Sequence, residues 1–114
     1  MSNVTTKTVD DITIVCPAGG FVGGDETTEL TTVLHKAFKD GSRKAIVDFK
    51  DTDYVNSWGL GQVVGVHRHY AENGGRLCLC NANDRVTATV TITKVISYVD
   101  VYATEEEAIA SFKD

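Results

Sequence analysis

The sequence is poor in basic charge, in proline and in long hydrophobic runs. Its 114 residues hold 11 Lys and Arg against 16 Asp and Glu, which gives a net charge of -5. Because contacts to phosphates need a basic surface, this balance argues against nucleic acid as the main partner. No apolar run approaches the roughly 20 residues that span a bilayer, so we expect no direct membrane insertion. The polar N-terminus lacks a signal-peptide core, and we therefore predict a cytoplasmic protein.

Pro17 is the only proline, and no linker, internal repeat or low-complexity segment divides the chain. Hydrophobic residues make up 42% and charged residues 24%, which is typical of a soluble globular protein with a full hydrophobic core. A chain of this length fits one compact domain. We therefore predict a single domain over residues 1–114.

The three cysteines cannot all pair with one another. Cys78 and Cys80 point to the same face of a predicted strand, where a mutual disulfide would be strained, and Cys16 ends another apolar run. We interpret all three as buried free thiols that pack as small hydrophobes. A metal site at Cys78 and Cys80 would need further ligands nearby, and none is apparent in the sequence. We predict neither a metal nor a cofactor.

Hydrophobic periodicity predicts an initial β-hairpin followed by alternating helices and strands. The hairpin would join Asn3–Val9 to Ile12–Cys16, and Gly19–Gly24 would form a glycine-rich loop. The remaining predicted elements are, in chain order, a helix from Asp25 that ends near Gly41, a strand at Ala45–Phe49, a helix from about Trp58 to Asn73, a strand at Leu77–Asn81, a short helix capped by Asn83, a strand at Val99–Val101 and a final helix after Thr104. This order, β-β-α-β-α-β-α-β-α, predicts an α/β fold with a mostly parallel central sheet of four to five strands and about four helices.

Two of the predicted helices carry specific expectations about burial. The third helix would turn Val86 and Val90 inward, although the β-branched residues of this segment disfavour a helix. The inner face of the second helix would be formed by Leu60, Val63, Val64, His67, Tyr70 and Ala71. Functional groups of such sheets gather at the carboxyl ends of the strands. We therefore expect Gly19–Gly24 and Asp51–Ser57 to lie together there.

Ser57 is the first place to look for a chemical switch. It follows a short strand-like run and opens the second predicted helix, within the segment Val55–Gly61. A phosphate on a serine at this position would meet unpaired backbone N–H groups and the positive end of the helix dipole. The alternative is an ordinary structural role, in which Asn56 or Ser57 caps the helix.

Ser57 is a poor candidate for a catalytic nucleophile. It would need a histidine base, and His67 lies nearly three helical turns further on, roughly 15 Å away. His69 would point to the opposite side of the helix, and only the position of His35 stays open without a structure. Val55 also stands where a G-x-S-x-G elbow has its first glycine. A hydrolase is therefore a poor interpretation of this chain.

Other candidate sites have simpler structural interpretations. His67 and His69 diverge on a helix, which disfavours a shared metal ion. The loop Gly19–Gly24 lacks the lysine and the spacing of a P-loop, and we interpret it as a flexible turn that could still belong to a docking surface. A cluster of acids that could hold Mg²⁺ is interpreted instead as one strand residue and two turn residues, namely Asp48, Asp51 and Asp53.

Several segments together carry a family resemblance. The apolar strand Ala45–Phe49 precedes the turn Asn56–Gly61, Gly74–Leu77 leads into the next strand, and Val99–Tyr102 is followed by Thr104–Ala108. In this order they resemble the apolar strand, the turn reading roughly D-S-[ST]-G-L-G, the next strand entry and the closing T-x-E-E-A helix of the STAS domains (sulfate transporter and anti-sigma factor antagonist). The resemblance is strongest to the stand-alone bacterial anti-sigma factor antagonists.

The resemblance assigns a role to Ser57 and also exposes three departures. The first serine of the family motif is the phosphoacceptor, and it falls on Ser57. The family usually has an aspartate before that serine, where Asn56 stands here, and often another in a G-x-[LV]-D segment, where Gly23 stands. Trp58 is larger than the usual Ser or Thr, and it could be an interface anchor or a cover over the helix start.

The resemblance implies an anti-sigma factor antagonist that works by partner switching, a regulator that is not itself an enzyme. Unphosphorylated, it would bind an anti-sigma factor that is also a serine kinase; phosphorylation of Ser57 would release it, and a phosphatase would reset it. The implied partner-binding surface consists of Gly20, Val22, Gly23, Gly24, Asn56, Trp58, Gly59 and Gly61. An alternative is a STAS scaffold or accessory subunit of a sensing or transport complex that is not phosphorylated. A weaker alternative is a small-ligand-binding domain that uses the Gly19–Gly24 loop.

Overall fold

The computed structural model describes residues 3–113. In chain order its elements are β1 (Val4–Val9), β2 (Ile12–Pro17), β3 (Gly19–Phe21), α1 (Asp25–Lys39), β4 (Lys44–Asp48), β5 (Thr52–Val55), α2 (Ser57–Glu72), β6 (Arg76–Cys80), α3 (Asp84–Ile92), a 3₁₀ helix (Val95–Ser97), β7 (Val101–Tyr102) and α4 (Glu105–Ala110). This is the predicted order with β3, β5 and the 3₁₀ helix added. Within the described residues, no helix has both the length and the apolar character to cross a membrane.

Five strands form the main sheet, in the spatial order β1-β2-β4-β6-β7. β1 and β2 pair antiparallel, while the pairs β2–β4, β4–β6 and β6–β7 are parallel. The turn between β1 and β2 places Asp10 at a positive φ of 56°, a conformation that aspartate tolerates better than most residues. The predicted hairpin and the predicted mostly parallel α/β sheet are confirmed.

Both faces of the central strands are buried because helices cover both sides of the sheet. Val47 and Leu79 belong to the cluster that packs under α1, α2 and α3. Ile46 and Cys78, which alternate with them, belong to a second cluster that includes Ala108 of α4. This burial accounts for the continuous apolar runs of β4 and β6. The parallel pairing of these strands places their carboxyl ends at one edge of the sheet.

The predictions missed short strands. Gly19–Phe21 is a strand rather than a flexible loop, and it pairs in parallel with β5 in a separate two-stranded sheet. β5 likewise lies inside the segment predicted as a turn, and the last strand is Val101–Tyr102 instead of Val99–Val101. A strand of two glycines and a phenylalanine has no periodicity to detect, because Phe21 is its only buried residue.

The inner face of α2 was predicted only in part. Leu60, Val63 and Tyr70 are buried as expected, but Val66 is buried as well. Ala71 is exposed, and Val64 and His67 are only half-buried. The buried stripe runs through Gly59, where the chain before α1 packs against the helix, and a glycine carries no apolar signal in a periodicity analysis.

The short helices α3 and α4 begin at the predicted caps. The Asn83 Oδ1 accepts a hydrogen bond from the Val86 backbone N–H at 2.9 Å, and the Thr104 Oγ1 accepts one from the Glu107 N–H at 3.1 Å. α3 forms despite its β-branched residues because Val86 and Val90 are buried in the core, and tertiary packing outweighs propensity.

All three cysteines are buried free thiols, as predicted. Burial raises the pKa of Cys78 to about 11, and it also raises the pKa of Cys16 and of Cys80. A raised pKa keeps these thiols protonated at neutral pH, so they pack as apolar groups and are weak nucleophiles.

Candidate functional site

The loop before α1 and the start of α2 meet at one edge of the fold. The pairing of β3 with β5 brings Phe21 beside Val55. The Asn56 backbone N–H then donates to the Phe21 carbonyl oxygen at 3.2 Å. The two segments expected to lie together therefore do so. We call the loop Val22–Gly24 together with Asn56–Gly59 the Ser57 platform.

Asn56 is the N-cap of α2. Its Oδ1 accepts a hydrogen bond from the Gly59 backbone N–H at 2.8 Å, and its Nδ2 donates to the Val22 carbonyl oxygen at 3.3 Å. One side chain thus caps the helix and ties the helix to the loop. An aspartate here would keep the first bond and lose the second, because a carboxylate has no N–H to donate.

Ser57 is the first residue of α2, and its side chain is exposed. Because Asn56 provides the cap, the Ser57 hydroxyl is not needed for it, and no residue between 3 and 113 forms a hydrogen bond with that hydroxyl. The first turn of α2 contains no acidic residue. The hydroxyl is therefore accessible, and it lies at the positive end of a helix dipole that no carboxylate of its own helix offsets.

Two glycines of the Ser57 platform allow close packing. A Cβ at Gly59 would overlap the Phe21 carbonyl oxygen, and one at Gly23 would overlap the indole ring of Trp58. Gly23 also has a φ of 94°, a conformation that side chains other than glycine rarely adopt. The Trp58 ring therefore lies directly over the Gly23 backbone.

The other residues of the predicted surface lie around this contact. Val22 is 48% exposed, and Gly24 precedes the first residue of α1. Gly20 lies in β3 and Gly61 on the exposed side of α2, and a Cβ at either would meet open space. Neither of these two glycines is required by packing.

Comparison with known proteins agrees with this geometry. The model of the STAS domain family matches residues 3–108 of the chain. The chain belongs to the STAS family. A relative named anti-sigma-B factor antagonist, from Staphylococcus aureus, is 31% identical over 91 residues, which cover 80% of this chain and 83% of that protein. The predicted resemblance is confirmed, and it agrees with the prediction of a regulatory binding protein rather than an enzyme.

Solved structures share the STAS fold across almost the whole chain. The anti-sigma factor antagonist SpoIIAA in its unphosphorylated form matches with a TM-score of 0.81 and 21% identity, and the match covers 96% of each chain. SpoIIAA from Bacillus in its phosphorylated form matches with a TM-score of 0.74 and 20% identity, covering 96% of this chain and 99% of that one.

Glu26 is a residue of this edge of the STAS domain that the sequence analysis missed. Its Oε1 accepts hydrogen bonds from the backbone N–H groups of Val22 at 2.9 Å and Gly24 at 3.1 Å. The bond from Val22 is the main cause that lowers the pKa of Glu26 below its ordinary value of 4.5. Thr27 accepts the remaining N–H of the loop, that of Gly23, at 2.9 Å. The sequence signal that could have identified Glu26 is its position as an acid in the first turn of a predicted helix.

The histidines lie away from Ser57. His35 and His69 contact each other edge-on across α1 and α2, with ring centroids 5.2 Å apart. Since His69 follows Ser57 by twelve residues in one helix, the separation is roughly 18 Å. His67 points to the sheet, where its Nδ1 lies 3.3 Å from the Leu77 carbonyl oxygen. The structure thus offers Ser57 no histidine base among the described residues.

Asp48 lies in a buried cluster at the carboxyl end of β4. Its Oδ1 accepts from the Lys50 backbone N–H at 2.9 Å and from the Asn81 Nδ2 at 3.0 Å. Burial opposes ionisation of Asp48, but the hydrogen bonds that its carboxylate accepts from the Lys50 N–H and the Asn81 side chain help to lower its pKa. Ligand atoms of Cys16, Asp48 and Glu105 lie within 4.8 Å of one another. The Lys7 ammonium, 2.8 Å from the Glu105 carboxylate, already supplies positive charge there.

Proposed function

We propose that this STAS domain is an anti-sigma factor antagonist that works by partner switching. In its unphosphorylated form it binds an anti-sigma factor through the Ser57 platform, and the sigma factor is released. The same partner is a serine kinase that uses ATP. Phosphorylation of Ser57 breaks the complex, and a phosphatase restores the competent form.

The observation that carries this proposal is the position of Ser57, exposed at the first residue of α2 with its hydroxyl unused by the described residues. The first turns of α1, α3 and α4 each contain at least one acid, whereas that of α2 contains none. A phosphate carries about -1.5 to -2 charge, and the N-terminus of a helix stabilises such charge. The domain therefore accepts the modification with little refolding.

The effect of the phosphate falls on the partner. A docking surface that is apolar or acidic loses affinity when a dianion is placed in its contact, through desolvation and repulsion. The name of the Staphylococcus aureus relative supports the antagonist role. The existence of SpoIIAA in an unphosphorylated and a phosphorylated form supports control by phosphorylation in this fold.

Intact-mass spectrometry tests the phosphoacceptor. The purified protein is incubated with ATP and with each candidate serine kinase of the source organism, and we expect a single gain of about 80 Da, the mass of one phosphoryl group. Ser57→Ala should abolish the gain, while Ser97→Ala, which removes another exposed serine, should retain it.

Two results would contradict the proposal. Mapping of the phosphate to a residue other than Ser57 would show that Ser57 is not the phosphoacceptor. Absence of any phosphoryl gain with every candidate kinase, in a domain that still binds an anti-sigma factor, would instead favour the unphosphorylated scaffold role.

A further inference from the structure

Trp58 is the largest apolar group exposed beside Ser57. It is the only tryptophan of the chain, and the residue is 66% exposed. Val22, 48% exposed, lies on the same platform. The other large apolar side chains that are exposed in the described residues follow α3 or end it, namely Ile92, Ile96 and Tyr98. Most of the Trp58 surface is therefore not used in the packing of its own domain.

The ring is nevertheless held in place. It lies on the backbone of Gly23, in the space that any side chain at position 23 would need. The loop beneath it is fixed by the Asn56 Nδ2 bond to the Val22 carbonyl and by the Gly23 N–H bond to Thr27. An exposed ring that is already ordered loses little conformational entropy on binding, which is the property of an interface anchor.

The surroundings of the ring favour an apolar contact over an ionic one. Glu26 uses its carboxylate within the loop, where it accepts two backbone N–H groups. The first turn of α2 contributes no acid. The indole and Val22 are therefore the large apolar groups that are exposed on the Ser57 platform.

We propose that Trp58, seated on Gly23, is the anchor that selects the partner, and that the anti-sigma factor has an apolar pocket that receives the indole. The inference rests on the proposed function, because it places that partner on the Ser57 platform. Phosphorylation of Ser57 then puts a dianion at the rim of the same pocket, where desolvation of the charge opposes docking. Trp58 thus determines how tightly the anti-sigma factor binds, and the phosphorylation state of Ser57 determines whether the partner's pocket can cover the indole.

Binding of purified anti-sigma factors of the source organism to the unphosphorylated domain tests the anchor. For any factor that binds the wild type, Trp58→Ser should lower the affinity at least about 30-fold, as hot-spot residues do. Gly23→Ala should also lower it, because the new Cβ displaces the ring. Ile92→Ser changes an apolar residue that is 81% exposed at the end of α3, away from the platform, and it should leave the affinity unchanged. Thermal unfolding of each variant checks that the fold is retained.

The single tryptophan gives a second readout, since its fluorescence emission should shift to the blue when the pocket covers it. Wild-type affinity in Trp58→Ser would overturn the anchor, while loss of binding on Ser57 phosphorylation in the same assay would leave the proposed function standing. Self-association that depends on Trp58 would also overturn it, since the occupant would be a second copy. Failure of every factor to bind the wild type would overturn both proposals.

Discussion

The N-termini of α1 and α2 lie side by side, yet they differ in how their side chains are hydrogen-bonded. At α1, the Glu26 carboxylate and the Thr27 hydroxyl accept all three backbone N–H groups of Val22–Gly24. At α2, Asn56 provides the side-chain cap, and the Ser57 hydroxyl next to it forms no hydrogen bond with any residue between 3 and 113. The Glu26, Thr27 and Asn56 side chains therefore stabilise the fold, whereas the Ser57 hydroxyl is available to a partner or a modifying enzyme.

The largest effect should come from the contact that joins the two helix starts. Gly59→Ala places a Cβ against the Phe21 carbonyl oxygen, and we expect a loss of roughly 1–3 kcal/mol in the free energy of unfolding. Gly61→Ala is the matched control, because a Cβ there meets open space. Removal of a helical glycine should make that variant more stable by about 0.5–1 kcal/mol. Urea unfolding measures the free energy of unfolding of both variants. Equal values would show that the Phe21 carbonyl does not pack closely against Gly59 of α2.

A smaller effect should come from the cap of α2. Asn56→Ala removes the acceptor of the Gly59 N–H, and we expect a cost of about 1 kcal/mol. Asn56→Asp keeps this acceptor and loses only the bond to the Val22 carbonyl, so its cost should be smaller. The same unfolding assay decides the order. If the aspartate variant were the less stable of the two, the bond between helix and loop would matter more than the cap.

The smallest effect should be the pH dependence of the α1 start. The pKa of Glu26 is lowered from 4.5, so its stabilising contribution is complete above about pH 4.5 and is lost as the pH falls through the lower folded-state pKa. Glu26→Gln should therefore lose less stability than the wild type between pH 5 and pH 3. Unfolding at several pH values measures this difference, and an NMR titration that places the Glu26 pKa at or above 4.5 would contradict it.

Long periodic elements and the family motif were predictable from the sequence, because the core repeats its signal over many residues. The hairpin, α1, β4 and β6 follow from that pattern, and Ser57 follows from the motif. β3 could not be predicted, since only Phe21 of its three residues is buried. The contact of Trp58 with Gly23 joins residues 35 positions apart, and no local pattern encodes it.

The choice between Asn56 and Ser57 as the cap shows the same limit. Both residue types cap helices, and only the geometry assigns that role to Asn56. Once the cap is assigned, the Ser57 hydroxyl becomes available, which is the condition that a phosphoacceptor requires.

The central claim is that Ser57 switches the platform between binding and release. Its most direct test compares the affinity of one anti-sigma factor for the unphosphorylated domain and for the domain phosphorylated at Ser57, by isothermal titration. We predict at least about 100-fold weaker binding after phosphorylation, a change of about 2.7 kcal/mol, with an unchanged fold by circular dichroism. Equal affinity for the two forms would contradict the account.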